Sequence, residues 1–320
     1  MSVRWGRTAA TAVLSLGCIT LALLPQGAAS ASATSALRWS QPKSTGVSSG
    51  EEISSVSCPS TKFCAAVDAS SRTLTFNGTK WNAPVSTGIP GDPLSSVSCP
   101  SAKFCVASAE LVDVDYYNGR TWSGLQPAVD SLVELDSISC TGPAFCMALE
   151  YGSGAGALSY NGKSWGGPAV LDTGRTGHSA VSCASPTFCV AVDANGLALK
   201  YNGHTWSAPV SVGEDLTAVS CPSAKFCAAV DSSGSITGFN GKSWTAPVTI
   251  DGTSDLTSIS CPSARFCVSV DGEGNAITTP GAAKGTVRTV DRESALGSVS
   301  CATATFCVAV DAAGNYLIGR

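Results

Sequence analysis

The sequence predicts an all-β protein whose seven tandem units close into a ring. Three observations support this prediction: a cysteine motif that returns about every 40 residues, four strand signals within each repeat, and one unit divided between the two chain ends. A fixed period in this range is typical of repeat architectures. Apolar patterns with a helical period are missing beyond the first 25 residues, so small sheets are the expected repeating unit.

The repeated motif is a cysteine, four residues, and then Phe-Cys, and successive copies begin 41, 41, 43, 38, 40 and 40 residues apart. An even number of regularly spaced cysteines in an exported chain predicts disulfides. Zinc is the weaker alternative, because no pair has a second pair or a histidine beside it. Each disulfide would close a loop of about seven residues and contribute about 2 kcal/mol. The predicted pairs are Cys58–Cys64, Cys99–Cys105, Cys140–Cys146, Cys183–Cys189, Cys221–Cys227, Cys261–Cys267 and Cys301–Cys307.

The fifth repeat shows the strand pattern most clearly. Residues 216–221 alternate small and apolar side chains and predict a first strand, and residues 226–230 predict a second strand across a short turn. A turn that starts at Asp231 leads to a third strand ending at Phe239. Asn240-Gly241 then predicts a two-residue hairpin. The Trp244 strand contains a proline, which places it at the outer edge. Four antiparallel strands per repeat predict a seven-bladed β-propeller.

The two chain ends predict how the ring closes. The last repeat stops at Arg320, before its Trp strand, whereas Arg38-Trp39-Ser40-Gln41-Pro42 near the start matches Lys80-Trp81-Asn82-Ala83-Pro84. The N-terminal strand is therefore expected to complete the seventh blade. A linear array would have no reason to divide a unit in this way.

Two families of propellers resemble this pattern. The closure resembles that of WD-repeat propellers, and the Asn-Gly-x-x-Trp turns are weakly similar to the Asp-box turns of sialidase-type propellers, although the signature residues of both are absent. The whole unit, Ser-Val-Ser-Cys-Pro-Ser-x-x-Phe-Cys-x-Ala-Val-Asp followed by Asn-Gly-x-x-Trp, is similar to repeats in secreted, largely uncharacterised actinobacterial proteins. That resemblance covers nearly all of the mature chain and implies no catalytic residues.

The N-terminus predicts export. Two arginines precede an apolar run and a tract of small residues, which indicates a signal peptide over residues 1–31, a short tail over 32–35 and the propeller over 36–320. A lipidated Cys18 and a membrane anchor are the alternatives, and both are disfavoured by the length and composition of the run. We therefore expect an extracellular monomer, either wall-associated or diffusible, with no membrane span in the mature chain.

The predicted strand order separates the charges. The turns inside each cysteine motif and the Asn-Gly turns should share one face, which we call the basic face because none of these turns contains Asp or Glu. The Asp-initiated turns and the blade-to-blade loops should share the other, which we call the loop face. Clustered cations would bind an anionic polymer in a salt-sensitive manner; the alternative is that turns simply favour polar residues. The basic-face residues are Lys62, Lys80, Lys103, Arg120, Lys163, Lys225, Lys242 and Arg265.

The sequence contains little that indicates catalysis. No nucleophile elbow, phosphate loop or metal-binding cluster is present, so we expect no cofactor, and the net charge of −4 argues against nucleic acid. The preferred hypothesis is an extracellular, non-catalytic propeller that binds a glycan or a protein. A glycoside hydrolase using loop-face carboxylates is the alternative, and a purely structural surface protein is the third. A departure from the repeat in the second copy suggests Asp113, Asp115 and Tyr116 as candidate ligand residues. Arg175 and Arg292 are added as loop-face arginines, which a sialidase-type site would require.

Overall fold

The computed structural model describes residues 1–2, 37–48, 51–129, 134–151, 156–167, 169–171, 179–252 and 254–320. It confirms the predicted architecture: seven sheets of four antiparallel strands form the blades of a ring. Apart from Met1 and Ser2, the predicted signal peptide and tail lie outside the described residues. Within the described part of the chain, no helix is long and apolar enough to cross a membrane.

The strands follow the same order in every blade, from the axis outward. The innermost strands are β2 (Ile53–Ser60), β6 (Leu94–Ser101), β10 (Glu134–Gly142), β14 (Ser179–Ser185), β18 (Leu216–Ser223), β22 (Leu256–Ser263) and β26 (Leu296–Thr303). The second strands are β3 (Phe63–Asp68), β7 (Phe104–Ala109), β11 (Phe145–Tyr151), β15 (Phe188–Asp193), β19 (Phe226–Asp231), β23 (Phe266–Asp271) and β27 (Phe306–Asp311). Blades are numbered 1 to 7 in this order.

The outer half of each blade is shorter. The third strands are β4 (Arg72–Phe76), β8 (Asp113–Tyr117), β12 (Gly156–Tyr160), β16 (Leu197–Tyr201), β20 (Ser235–Phe239), β24 (Asn275–Thr279) and β28 (Asn315–Gly319). The outermost strands are β5 (Val85–Ser86), β9 (Gln126–Pro127), β13 (Ala169–Val170), β17 (Val210–Ser211), β21 (Val248–Thr249), β25 (Thr286–Thr289) and β1 (Lys43–Ser44).

Ring closure occurs as the sequence predicts. Strand β1 pairs antiparallel with β28, with Lys43 opposite Tyr316, and so supplies the fourth strand of blade 7. A further bridge joins Trp39 to Gly319. The first and last parts of the chain therefore fasten the same sheet, which leaves no open end in the ring.

The cysteine pairs form one disulfide in each blade, between the innermost and second strands. The apolar core lies between neighbouring blades: Val56 and Ala66 of blade 1, for example, pack in one cluster with Phe306 and Val308 of blade 7. Each blade is too thin to bury its own faces, so the seven blades stabilise one another.

Serines of the innermost strands explain the repeated Ser-Val-Ser. At every junction of the ring, a serine hydroxyl accepts a hydrogen bond from a backbone N–H of the next blade, as between Ser57 and the Cys99 nitrogen at 3.0 Å. These N–H groups lie on the free edge of each sheet and would otherwise be buried without an acceptor. The serines of the innermost strands are therefore small enough to pack around the axis and also supply the hydrogen-bond acceptors that join neighbouring blades.

The Asn-Gly turns differ from the two-residue hairpin that the sequence suggested. Only the glycine takes a positive φ, 91° at Gly241, and the loop has four residues because Phe239 bridges to Trp244. The Asn240 Oδ1 accepts hydrogen bonds from the nitrogens of Lys242 and Ser243, both at 3.0 Å. The asparagine is thus selected for its side-chain acceptor rather than for tolerance of positive φ.

Candidate functional site

A cavity of about 490 Å³ lies on the axis of the ring at the loop face. Six of the innermost strands contribute to it through a β-bulge near their start. In each bulge, the pairing register with the second strand skips the residue that follows the first apolar side chain. A bulge re-aims a side chain, and these residues all line the cavity. They are Ser54, Ser95, Asp136, Thr217, Thr257 and Gly297.

The hydroxyl groups of this cavity also join neighbouring blades. Thr217 donates to the carbonyl oxygen of Leu256, and Thr257 donates to that of Leu296 at 2.6 Å. The same strand position in blade 3 carries Asp136. One carboxylate therefore replaces a hydroxyl in an otherwise neutral ring of side chains.

Two further carboxylates line the cavity beside the hydroxyls, Asp215 and Asp255. The Ser232 hydroxyl donates to the Asp215 Oδ2 at 2.5 Å. Burial raises the pKa of Asp255, and the negative charges of Asp215 and Asp271 raise it further. The cavity is thus polar and anionic, which suits cations and hydrogen-bond donors, and convergent carboxylates are also the groups that glycoside hydrolases use.

The basic face has the composition that the sequence predicts. Each Asn-Gly turn packs on a cysteine-motif turn: a Cβ placed on Gly78 would lie 3.2 Å from the Lys62 Cα, so the two turn types share one face. All eight basic-face side chains are exposed. The described residues form two ion pairs, from Arg72 to Glu51 and from Arg72 to Asp68. None of the eight basic-face side chains takes part in either.

The Asp-initiated turns of the loop face are different, because their carboxylates are buried. Asp231 is 4% exposed, and its Oδ1 accepts hydrogen bonds from the nitrogens of Ser233 and Ser235 at 3.0 and 2.8 Å. The same arrangement recurs at Asp68, Asp193, Asp271 and Asp311. These residues hold their own turns and contribute little accessible charge to the loop face.

The predicted ligand residues of blade 2 lie on its third strand, away from the axial cavity. Asp115 is fully buried, and its Oδ1 accepts from the Ser123 hydroxyl and the Gly124 nitrogen, both at 2.9 Å. No donor among the described residues reaches its Oδ2. Burial raises the pKa of Asp115, and the hydrogen bonds from Ser123 and Gly124 partly offset this. Burial also raises the pKa of Asp113.

Tyr116 points to the opposite side of the same strand. Its hydroxyl accepts a hydrogen bond from the Trp165 Nε1 at 2.7 Å, and its ring lies 5.7 Å from that of Tyr160 in blade 3. Burial raises the pKa of Tyr116 to about 12. Arg292 is exposed in the loop before blade 7, and Arg175 lies outside the described residues. The structure therefore does not gather Asp115, Tyr116 and Arg292 into one site.

Sequence reasoning missed the axial residues Asp136, Asp215 and Asp255 as a group. The sequence feature that they share is a position next to the first apolar residue of an innermost strand. Asp136 directly follows that residue in its strand, whereas Asp215 and Asp255 directly precede it in theirs. Only the bulges and the ring bring these positions together. Among the described residues, no group of three or more His, Cys, Asp or Glu is arranged to hold a metal ion.

Comparisons with known proteins support the fold. No protein-family model and no curated protein matches the chain. Among solved structures, it is similar to YCF48 from Cyanidioschyzon merolae, with a TM-score of 0.67 and 15% identity over 88% of this chain and 99% of that one. YCF48 bound to a D1 peptide matches with the same TM-score and 14% identity over 88% and 94% of the two chains. At such identities the likeness shows that the chain shares the propeller fold.

Proposed function

We propose that this protein is an extracellular, non-catalytic binding propeller whose basic face contacts an anionic glycan. The observation that carries the proposal is the set of exposed, unpaired cations in the basic-face turns, which contain no carboxylate. Like charge clustered on one face attracts an anionic polymer and speeds association even when the net charge of the protein is negative. Seven disulfides fit an oxidising compartment outside the cytoplasm, which agrees with the predicted signal peptide.

Co-sedimentation tests this proposal directly. The oxidised protein without residues 1–31 is mixed with insoluble polygalacturonate, with a cell-wall preparation, and with cellulose as the neutral control, at low and high salt. We expect binding to the anionic polymers that high salt weakens at least about tenfold, because exposed charges are screened within about 10 Å. The triple variant Lys62→Glu, Lys103→Glu, Lys225→Glu should lose most of it.

The possible outcomes separate the alternatives. Equal binding to cellulose, or binding that survives both salt and the triple charge reversal, would remove the basic face as the working surface. Failure to bind any polymer would overturn the glycan proposal. A protein partner would then be the better hypothesis, as the structure of YCF48 bound to a peptide illustrates for another propeller of low identity.

A second candidate function has one observation in its favour. Asp136, Asp215 and Asp255 converge on the axial cavity, and the raised pKa of Asp255 beside Asp215 resembles the pairing of an acid with a base in glycoside hydrolases. A reducing-sugar assay on the same polysaccharides tests it. Release of sugar that disappears in the double variant Asp215→Asn, Asp255→Asn would support hydrolysis. Absence of release by the wild-type protein on every polymer it binds would leave binding as the function.

A further inference from the structure

Three clefts of similar size open on the rim of the ring, between the outer strands of adjacent blades. They measure about 290 Å³ between blades 1 and 2, 350 Å³ between blades 3 and 4, and 270 Å³ between blades 4 and 5. Each is formed by the third and outermost strands of one blade and by the Trp segment of the next. These volumes lie at or just below the small end of ordinary ligand pockets, which suits a single sugar ring.

The three rim clefts share an aromatic wall and an apolar lip. In each cleft a tryptophan is tilted by 45–47° against a second aromatic ring whose centroid lies 5.3–5.5 Å away. The aromatic pairs are Tyr117 with Trp122, Tyr201 with Trp206, and Phe239 with Trp244. The lip is formed by Val85, Val170 and Val210, which are 54%, 68% and 53% exposed, although valine is usually buried.

Each rim cleft also contains a cation or a titratable nitrogen where it meets the basic face. These residues are Arg120 in the first cleft, His204 in the second and Lys242 in the third, and all are exposed. Hydroxyl and amide groups complete the lining, including Thr75 and Asn82 in the first cleft. The combination of an apolar wall and hydrogen-bonding groups is repeated at all three junctions, and two of the three clefts add a cation.

The junction of blades 2 and 3 shows that such a cleft can be closed. Tyr116 occupies the third-strand position that Thr75, Ser159 and Lys200 occupy in the blades that form the open clefts. Its ring packs on Tyr160, and its hydroxyl accepts the Trp165 indole hydrogen bond, so the tyrosine fills the space. Whether a rim cleft is open therefore depends on the side chain at this third-strand position and is not fixed by the blade geometry.

We propose that each rim cleft binds one acidic sugar residue, so that a single polysaccharide chain or several chains can occupy the three clefts together. A pyranose ring offers an apolar C–H face to Trp and Val and hydroxyl groups to the polar side chains of each cleft. Its negative group would face Arg120 in the first cleft and Lys242 in the third, and would accept a hydrogen bond from the His204 imidazole in the second. Several weak sites on one rigid ring raise the avidity for a polymer far above the affinity of one site. This inference rests on the proposed glycan-binding function and names the sites that would recognise the sugar.

The first test copies the native closed junction into the open ones. The triple variant Thr75→Tyr, Ser159→Tyr, Lys200→Tyr plugs all three clefts, and Lys200→Ala controls for the lost charge. Binding of trigalacturonate is measured by calorimetry and by quenching of tryptophan fluorescence, with cellotriose as the neutral control and glucose 6-phosphate as the phosphate-bearing probe. We expect the plugged variant to bind trigalacturonate at least about tenfold more weakly. Lys200→Ala should cause a smaller loss, because it removes a cation that lines the third cleft but leaves the cleft open.

The second test uses a variant that should bind more sugar molecules per chain than the wild type. An unfolded variant would lose binding and could not give this result. Tyr116→Ser should open a fourth cleft between blades 2 and 3 and raise the number of bound monosaccharide probes per chain from about three to about four. Glucose 6-phosphate against galacturonate shows whether phosphate or carboxylate is the preferred acidic group.

The outcomes distinguish this inference from the function on which it rests. If the plugged variant keeps its affinity for trigalacturonate, or if cellotriose binds equally well, the rim-cleft proposal is wrong. If the wild type binds anionic polymers but no oligosaccharide, the basic face acts alone and the clefts are again excluded. If the wild type binds no glycan of any length, both proposals fail together.

Discussion

The two faces of the ring carry repeated charged turns that differ in what surrounds the charge. On the loop face, the turn aspartates are buried and accept two or more backbone hydrogen bonds each, as Asp271 does from Glu273 and Asn275. On the basic face, the turn lysines and arginines are exposed and form no ion pair among the described residues. The repeated aspartates are therefore explained by the hydrogen bonds that their turns require. The repeated cations have no such structural explanation among the described residues.

This difference changes how each repeated charge is interpreted. The aspartates would be retained in any propeller that used these turns, so their repetition says nothing about a ligand. The lysines form no ion pair among the described residues, and the cysteine-motif turn also forms with threonine, as Thr187 and Thr305 show at the same position. The basic face is therefore the better candidate for a binding surface than the loop face.

The largest expected effect contrasts one residue from each face. Asp231→Ala removes the acceptor of two backbone N–H groups and the Ser233 hydroxyl, and should lower the free energy of unfolding by about 2–3 kcal/mol because buried donors lose their partner. Lys225→Ala should change it by less than about 0.5 kcal/mol. Urea unfolding with the disulfides intact measures both.

Asp231→Asn is the matched control, since its side-chain oxygen can still accept, and it should lose about half as much as the alanine variant. A Lys225→Ala variant as unstable as Asp231→Ala would contradict the distinction between the two faces, because the lysine would then have a structural role.

A smaller, pH-dependent effect is expected on the loop face. Burial raises the pKa of Asp251 to about 7, helped by a hydrogen-bonded contact with the buried Asp271 and by the charges of Asp271 and Glu273. The folded protein therefore holds a proton that the unfolded chain releases near pH 4. The free energy of unfolding should fall as the pH rises from about 4 to 7, and the loss should be complete above pH 7.

Asp251→Asn should abolish this loss, because the amide stays neutral and can donate to Asp271. We expect the free energy of unfolding of the variant to exceed that of the wild type by about 1 kcal/mol at pH 8 after allowing for solvent screening, which raises its melting temperature, and to equal that of the wild type at pH 4. Glu214→Gln, an exposed control, leaves Asp251 unchanged and should keep the pH dependence of the wild type. Equal melting temperatures of Asp251→Asn and wild type at pH 8 would mean that the two carboxyls are not held against each other.

The smallest expected effect tests whether location or net charge governs binding. Changing the exposed loop-face residues Glu52, Glu214 and Glu293 to lysine makes the protein more positive without touching the basic face. Binding to polygalacturonate should change by less than about twofold, because charges more than a Debye length from the bound polymer are screened. A gain comparable to the loss in the basic-face triple variant would show that net charge is sufficient.

The fold could be predicted because its determinants are local and repeated seven times. The strand alternation and the position of the prolines can be recognised within a single unit, and the period follows from its repetition. The divided unit predicts that the N-terminal strand completes the last blade, and the structure shows this as the pairing of Lys43 with Tyr316. The cysteine pairs could be predicted for the same reason, since the two cysteines of each pair are only six positions apart in the sequence. The predicted strand order was sufficient to assign the turns that contain lysine and the turns that start with aspartate to opposite faces.

The candidate sites depend on contacts between repeats, which no single unit contains. Bulges of one residue bring Asp136 to the axis beside Asp215 and Asp255, although these residues are far apart in the chain. Tyr116 reads as a surface departure from the repeat, yet it fills a junction with blade 3, while Ser159 leaves the next junction open. Whether a polar side chain is buried, or a cleft is open, depends on what the neighbouring blade places against it. That information exists only once the ring has closed.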